Sequence, residues 1–264
     1  MQRTVSAHID LDIRGLTNMV FSLSAARGAD VTSERFSFAL DGTELEFAEL
    51  PDLHGGRLQQ FVSTKGRMAV DYTAEIEGRA APVEPNELDL ITYLRPSRYC
   101  QSDSLYPTAR SEFAGLSGHN LLRAVTEWVW TRLSYVSGSS LPTDGATRTL
   151  LNRQGVCRDF AHVTIAMLRA MDVPARMVAV YAPGLSPMDF HAVVEAWVDG
   201  QWWVVDATRL APRQSLLRIS TGRDAADTAW LTSNWTDLAV LAMRVTVTAD
   251  ELPLDDHVSL VQLG

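Results

Sequence analysis

The sequence predicts an α+β protein: an N-terminal antiparallel β domain over residues 1–96, then, over 97–264, helices packed on a second antiparallel sheet. Three observations carry that expectation. Apolar residues alternate strictly through much of the first 80 positions, they recur at helical spacing from residue 121, and alternation returns after Pro174.

In the first region Ala7, Ile9, Leu11 and Ile13 alternate with His8, Asp10, Asp12 and Arg14, the period of a strand buried on one face. Phe36, Phe38 and Leu40 do the same and run into Asp41-Gly42, a hairpin dipeptide, before Leu45 and Phe47. A second hairpin is expected at Lys65-Gly66, ahead of Met68, Val70, Tyr72, Ala74 and Ile76. Pro82, Pro85 and Pro96 punctuate a connecting stretch that ends near Ser102-Asp103. Leu121, Leu122, Val125, Trp128, Val129 and Leu133 then fall at helical spacing, with His119-Asn120 as the expected N-cap. A short helix is expected over 146–153, stopped by Gly155. A longer one starts at Cys157 and ends before Val173-Pro174, because proline cannot continue it. It is apolar around most of its circumference, so it should be buried. Strands follow over 176–181, 190–198, 202–208 and 216–220, and 238–248 is expected to close that set.

Composition narrows the function classes. A net charge of −9 without clustered Lys or Arg argues against nucleic acid and against an anionic membrane surface as partners. The N-terminus lacks the apolar core of a signal peptide, and no run of about 18 apolar residues suggests a membrane span. Cys100 and Cys157 are the two cysteines of the chain, too few for a disulfide scaffold. Free thiols in a cytoplasmic protein are therefore the expectation. There is no His-Glu-x-x-His, Cys-x-x-Cys, calcium loop or phosphate-binding glycine loop, so no metal and no cofactor is expected.

Chemistry concentrates around Cys157. A thiol that opens a helix meets unpaired backbone N–H groups, whose partial positive charge favours a thiolate and can face an oxyanion. Taken alone, a buried cysteine is simply a small hydrophobe. The second piece is the run from Phe190 to Thr208, which is split by Asp199-Gly200, the preferred dipeptide of a two-residue type I′ turn. Such a turn places Val198 opposite Gln201, position 191 opposite 208 and position 193 opposite 206. His191, Val193, Glu195 and Trp197 then share a sheet face with Trp202, Val204, Asp206 and Thr208. His191 and Asp206 become diagonal neighbours, about 7–8 Å apart at Cα. The candidate catalytic residues are therefore Cys157 as nucleophile, His191 as base and Asp206 as orienter. The start of the Cys157 helix is expected to pack against the His191 face. Glu195 is the second choice as orienter.

The segment Arg153-Gln154-Gly155-Val156-Cys157-Arg158-Asp159-Phe160-Ala161-His162 resembles the nucleophile motif of the bacterial transglutaminase-like family of cysteine proteases. Phe190-His191-Ala192-Val193-Val194-Glu195-Ala196-Trp197 resembles its histidine motif, and Val205-Asp206-Ala207-Thr208 its aspartate motif. Residues 97–103 and 222–227 also resemble family segments, so the likeness covers nearly the whole chain. It departs at Val193, where the family commonly carries Trp and where a wall of the site could differ. The resemblance implies a papain-like transglutaminase core behind a β-rich N-terminal region. It also implies acyl transfer at an amide through a thioester.

Hydrolysis of a peptide or isopeptide bond in a peptide or protein substrate is the first expectation. Transfer to an amine is one alternative, and a catalytically silent peptide-binding module on the same fold is another. His162 is set aside as a buried second histidine, since five residues place it about 140° around the helix from Cys157. Asp159 is read as a helix-start acid, Cys100 as inert or a pocket wall, and Arg223 and Asp224 as a structural pair. Trp197, Trp202 and Trp203 are expected in the core and in the cleft walls.

Overall fold

In the computed structural model, which describes residues 1–82 and 86–264, the alternation of the first strand is realised over twelve residues. Every odd position from Arg3 to Ile13 in β1 (Gln2–Ile13) is buried. The chain continues through β2 (Thr17–Phe21), β3 (Asp30–Leu40), β4 (Thr43–Glu44), β5 (Ala48–Pro51), β6 (Arg57–Ser63) and β7 (Gly66–Glu77). Asp41-Gly42 forms the expected two-residue turn, with Leu40 opposite Thr43 and both turn residues at positive φ. Lys65-Gly66 does not join a hairpin. It carries the chain from one sheet to another, because β7 pairs with β1 and β3 while β6 pairs with β2 and β5.

The helices are α1 (Glu87–Thr92), α2 (Ser102–Glu112), α3 (Gly118–Arg132), α4 (Ala146–Asn152) and α5 (Cys157–Ala170). Between them lie two-residue strands β8 (Ser134–Tyr135) and β9 (Gln154–Gly155). The N-cap of α3 is Ser117 rather than His119-Asn120. Pro85, one of the three prolines of the connecting stretch, lies outside the described residues. Among the described residues no helix is long and apolar enough to cross a membrane.

The remaining strands are β10 (Ala175–Tyr181), β11 (Phe190–Val198), β12 (Gln201–Val205), β13 (Leu217–Gly222), β14 (Leu231–Asn234) and β15 (Leu238–Ala249). Sheet order separates them: β12-β11-β10-β13 backs α5, whereas β15-β1-β7-β3-β4 and β14-β2-β6-β5 form the N-terminal layers. The strand expected to close the second set therefore pairs with β1 instead. Its alternating Val245 and Val247 fill the cluster that also holds Val5, Ala7 and Ile76. The same cluster takes in Tyr181, Leu217 and Ile219 from the second set, so the two regions share one core. The Tyr181 hydroxyl donates to the Leu23 carbonyl at 2.8 Å across that junction. The fold is the predicted α+β class.

Candidate active site

Cys157 is positioned by the glycine two residues before it. A Cβ on Gly155 would lie 2.5 Å from the Cβ of Asp159, so only glycine lets that side chain fold back over the helix start. There the buried Asp159 carboxylate accepts the Val156 N–H at 2.8 Å, the capping role expected of a helix-start acid. The short β8–β9 pairing holds the approach, with Ser134 N–H donating to the Arg153 carbonyl and Val136 N–H to that of Gly155, each at 2.9 Å. Cys157 is half-buried as the first residue of α5. The first N–H groups of α5 have no carbonyl within the helix to bond, and that of Asp159 is already taken by the Val156 carbonyl at 2.9 Å.

The hairpin register is the expected one. Val198 faces Gln201 and Trp197 faces Trp202, around a turn with Asp199 at φ 51° and Gly200 at φ 78°. Asp206 follows the last paired residue, Val205, and reaches back to the buried His191 ring. Its Oδ2 accepts from His191 Nε2 at 2.9 Å. Thr208 completes the cradle. Both its N–H and its hydroxyl donate to Asp206 Oδ1, at 2.8 and 2.7 Å, which pins the carboxylate plane. Thr208 was legible as a residue on the shared face, but its part in holding Asp206 was not.

Burial alone would push the His191 ring toward neutrality. The Asp206 charge and hydrogen bond, followed by those of the Cys157 thiol, reverse this and raise its pKa to about 10. Burial likewise opposes the Asp206 charge, and His191 with Thr208 outweighs it, so the carboxyl titrates below its ordinary range. With Nε2 committed to Asp206, Nδ1 is the ring atom left for the thiol. Nδ1 makes no hydrogen bond in the fold, and the Cys157 thiol is near enough to help raise the ring's pKa.

One expectation about this meeting is corrected. The body of α5 packs on Val194, Ala196 and Val198, the strand positions alternate to His191, while Val193 belongs to the cluster on the other side of the sheet. Cys157 and His191 meet at the end of the sheet, where both line one cleft of about 680 Å³. The departure at Val193 therefore leaves the cleft wall unaltered.

Tyr135 is the residue that sequence reasoning missed. Its pairing opposite Gly155 in the β8–β9 bridge brings it beside Cys157. Burial and the neighbouring thiol together raise the phenol above its ordinary pKa. The available signal was the parallel bridge itself, which is too short to read from sequence.

The residues set aside separate clearly. Cys100 is fully buried outside the cleft, where desolvation pushes its thiol up to about 12. His162 stacks on Tyr99 at 5.2 Å between ring centroids and accepts the Ala225 N–H, and burial lowers it to about 3. Asp224 accepts the Tyr99 N–H at 2.8 Å, so it ties residues 97–103 to 222–227, whereas Arg223 pairs with Asp227 rather than Asp224. Glu195 serves two arginines and makes no bond to His191. None of Trp197, Trp202 and Trp203 lines the cleft, and Trp230 does.

Residues 115–207 match the family model of the transglutaminase-like superfamily. A crystal structure of a "putative cysteine protease" from Cytophaga hutchinsonii is 32% identical, covers 97% of this chain and 92% of its own, and superposes with a TM-score of 0.87. Proteins of Mycobacterium leprae and Mycobacterium tuberculosis are 31% and 34% identical over 119 and 122 residues. Those matches cover 40% of this chain and 41% and 39% of the two relatives, so the chain matches about two fifths of their length.

Proposed function

Because this chain belongs to the transglutaminase-like superfamily, we propose that it is a cysteine peptidase or amidase which hydrolyses an amide through a thioester on Cys157. The observation that carries the proposal is the buried His191–Asp206 pair, whose free ring nitrogen is left for the Cys157 thiol. In this mechanism the Cys157 sulfur, as thiolate, attacks the amide carbonyl and the C–S bond forms. The oxyanion is met by the first-turn N–H groups of α5 and by the Tyr135 hydroxyl. The His191 imidazolium gives its proton to the leaving amine as the C–N bond breaks. His191 then takes a proton from water, which attacks the thioester and releases the acid. The Asp206 carboxylate, held by Thr208, keeps Nε2–H directed toward itself throughout.

Casein incubated with the protein and a fluorescent primary amine separates the two acceptors. New N-termini without incorporation of the amine are expected. Incorporation as the dominant product would overturn the assignment of water as acceptor.

Tyr135→Phe should lower kcat by roughly 10–10²-fold with little change in KM, since the hydroxyl would act mainly on the transition state. Steady-state kinetics on any cleaved substrate checks this, and an unchanged kcat would remove Tyr135 from the oxyanion site. The alkaline limb of kcat/KM should fall near pH 10 rather than near 6.5, because the group lost there is the His191 imidazolium, raised to about 10. A limb near the ordinary histidine value would contradict the coupling to Asp206.

A further inference from the structure

The cleft that holds Cys157 is walled by both layers of the molecule. The core contributes Met177, Phe190 and Ile219, and the N-terminal layers contribute Leu231 of β14 with Val240 and Met243 of β15. Its charged side chains are Arg158, Asp189 and His191, all within two residues of the candidate nucleophile or base. Everything farther from the thiol is uncharged. Val240 and Met243 stay 48% and 39% exposed, large apolar side chains left open beside a reactive centre. Both strands are also sheet edges among the described residues. β14 has β2 as its one strand neighbour and β15 has β1, and on β15 the Val247 N–H donates to the Met188 sulfur, which leaves β14 the more open edge. Edges of this kind are completed by extended chains.

The geometry points to an acyl donor that is an extended polypeptide segment with apolar side chains beside the scissile carbonyl, bound by strand addition to the free edge of β14. This deepens the acyl-transfer proposal for Cys157 and rests on it. A small amide would leave the strand edges and the apolar wall unused. An acidic segment would meet uncharged walls on a molecule of net charge −9, which opposes its approach. An apolar extended segment satisfies the edge through its backbone and the wall through its side chains.

Chloromethyl ketones test this as covalent probes of Cys157 in the full chain. The reagents are Leu-Phe-Ala, Asp-Glu-Ala and Ala alone, plus a Leu-Phe-Ala reagent with N-methylated backbone amides. Dividing each rate by the iodoacetamide rate of the same protein separates cleft recognition from the thiol itself. The Leu-Phe-Ala reagent should react at least tenfold faster than the acidic or single-residue reagents, and N-methylation should remove most of that advantage. Val240→Lys and Met243→Lys, at exposed positions compatible with folding, should each cut it several-fold. Equal rates for the apolar and acidic reagents would overturn the apolar class, and insensitivity to N-methylation would overturn strand addition. A Cys157 no faster than an ordinary thiol toward iodoacetamide would instead count against the proposed reaction.

Discussion

Cys157→Ala and His191→Ala should each lower turnover by at least about 10⁴-fold, with the double variant losing scarcely more than either alone. In the proposed mechanism the two groups act in one step: without the thiol no thioester would form, and without the imidazole neither the thiolate nor the leaving amine would be served. Asp206→Asn should cost less, about 10²-fold, because in the proposed mechanism the side chain orients the ring and does not react. That variant keeps the two Thr208 bonds to Oδ1 if the amide oxygen takes that place, and it loses the charge that holds His191 protonated. Single-turnover kinetics on the three variants checks the order. Additive losses, or an Asp206→Asn as impaired as Cys157→Ala, would contradict the division of roles.

Glu195→Ala should lower stability by about 3–5 kcal/mol, because it strands two buried guanidiniums. Glu195 Oε2 accepts from Arg176 Nε at 2.8 Å and from Arg218 Nη1 at 3.0 Å, while Oε1 accepts from Arg218 Nη2 at 2.7 Å. Arg176 also lies over the Trp202 ring at 4.0 Å and within 3.4 Å of His54 Nδ1, from the N-terminal region. The cluster therefore ties the N-terminal region to the sheet that carries His191. For a chain of this size the loss corresponds to a fall in Tm on the order of 10 °C, read by thermal denaturation. A variant melting within about 2 °C of the wild type would show that the cluster contributes little.

Two groups of that cluster set its acid response. Burial opposes the Glu195 charge, but the arginines hold its carboxyl down at about 2. Its contribution is fully present above the ordinary glutamate range and is lost as pH falls through 2. His54, lowered to about 4 first by burial and then by Arg176, is kept neutral in the fold. The unfolded chain therefore takes up that proton first, and stability declines as pH drops from about 6.5 toward 4.

What could be read from the sequence follows from local rules. Asp199-Gly200 specified the loop length, the loop length specified the register, and the register brought His191 to Asp206. The start of α5 at Cys157 was legible because Gly155 and the apolar run bracket it. Pairing partners were not legible. Alternation says that 238–248 is a strand but not that β1 is its neighbour, and it cannot tell a hairpin at Lys65-Gly66 from a crossing between sheets. β14 escaped because Leu231-Thr232-Ser233-Asn234 is short and largely polar, as an open edge can be. α2 escaped because its apolar positions are few and Pro107 lies inside it. Glu195 was drawn toward catalysis because its partners, Arg176 on β10 and Arg218 on β13, depend on the sheet order.

The most direct test of the thiol–imidazole pair is alkylation by iodoacetamide from pH 5 to pH 10, followed by peptide mapping of Cys157 and Cys100 in the wild type and in His191→Ala. In the wild type Cys157 should be carboxamidomethylated well below pH 8. Cys100, fully buried with its thiol pushed up to about 12, should stay unmodified while the chain is folded. In His191→Ala the low-pH reactivity of Cys157 should fall sharply, because the imidazole that takes its proton is gone. A Cys157 profile that is the same with and without the imidazole would contradict the pairing on which the proposed chemistry depends.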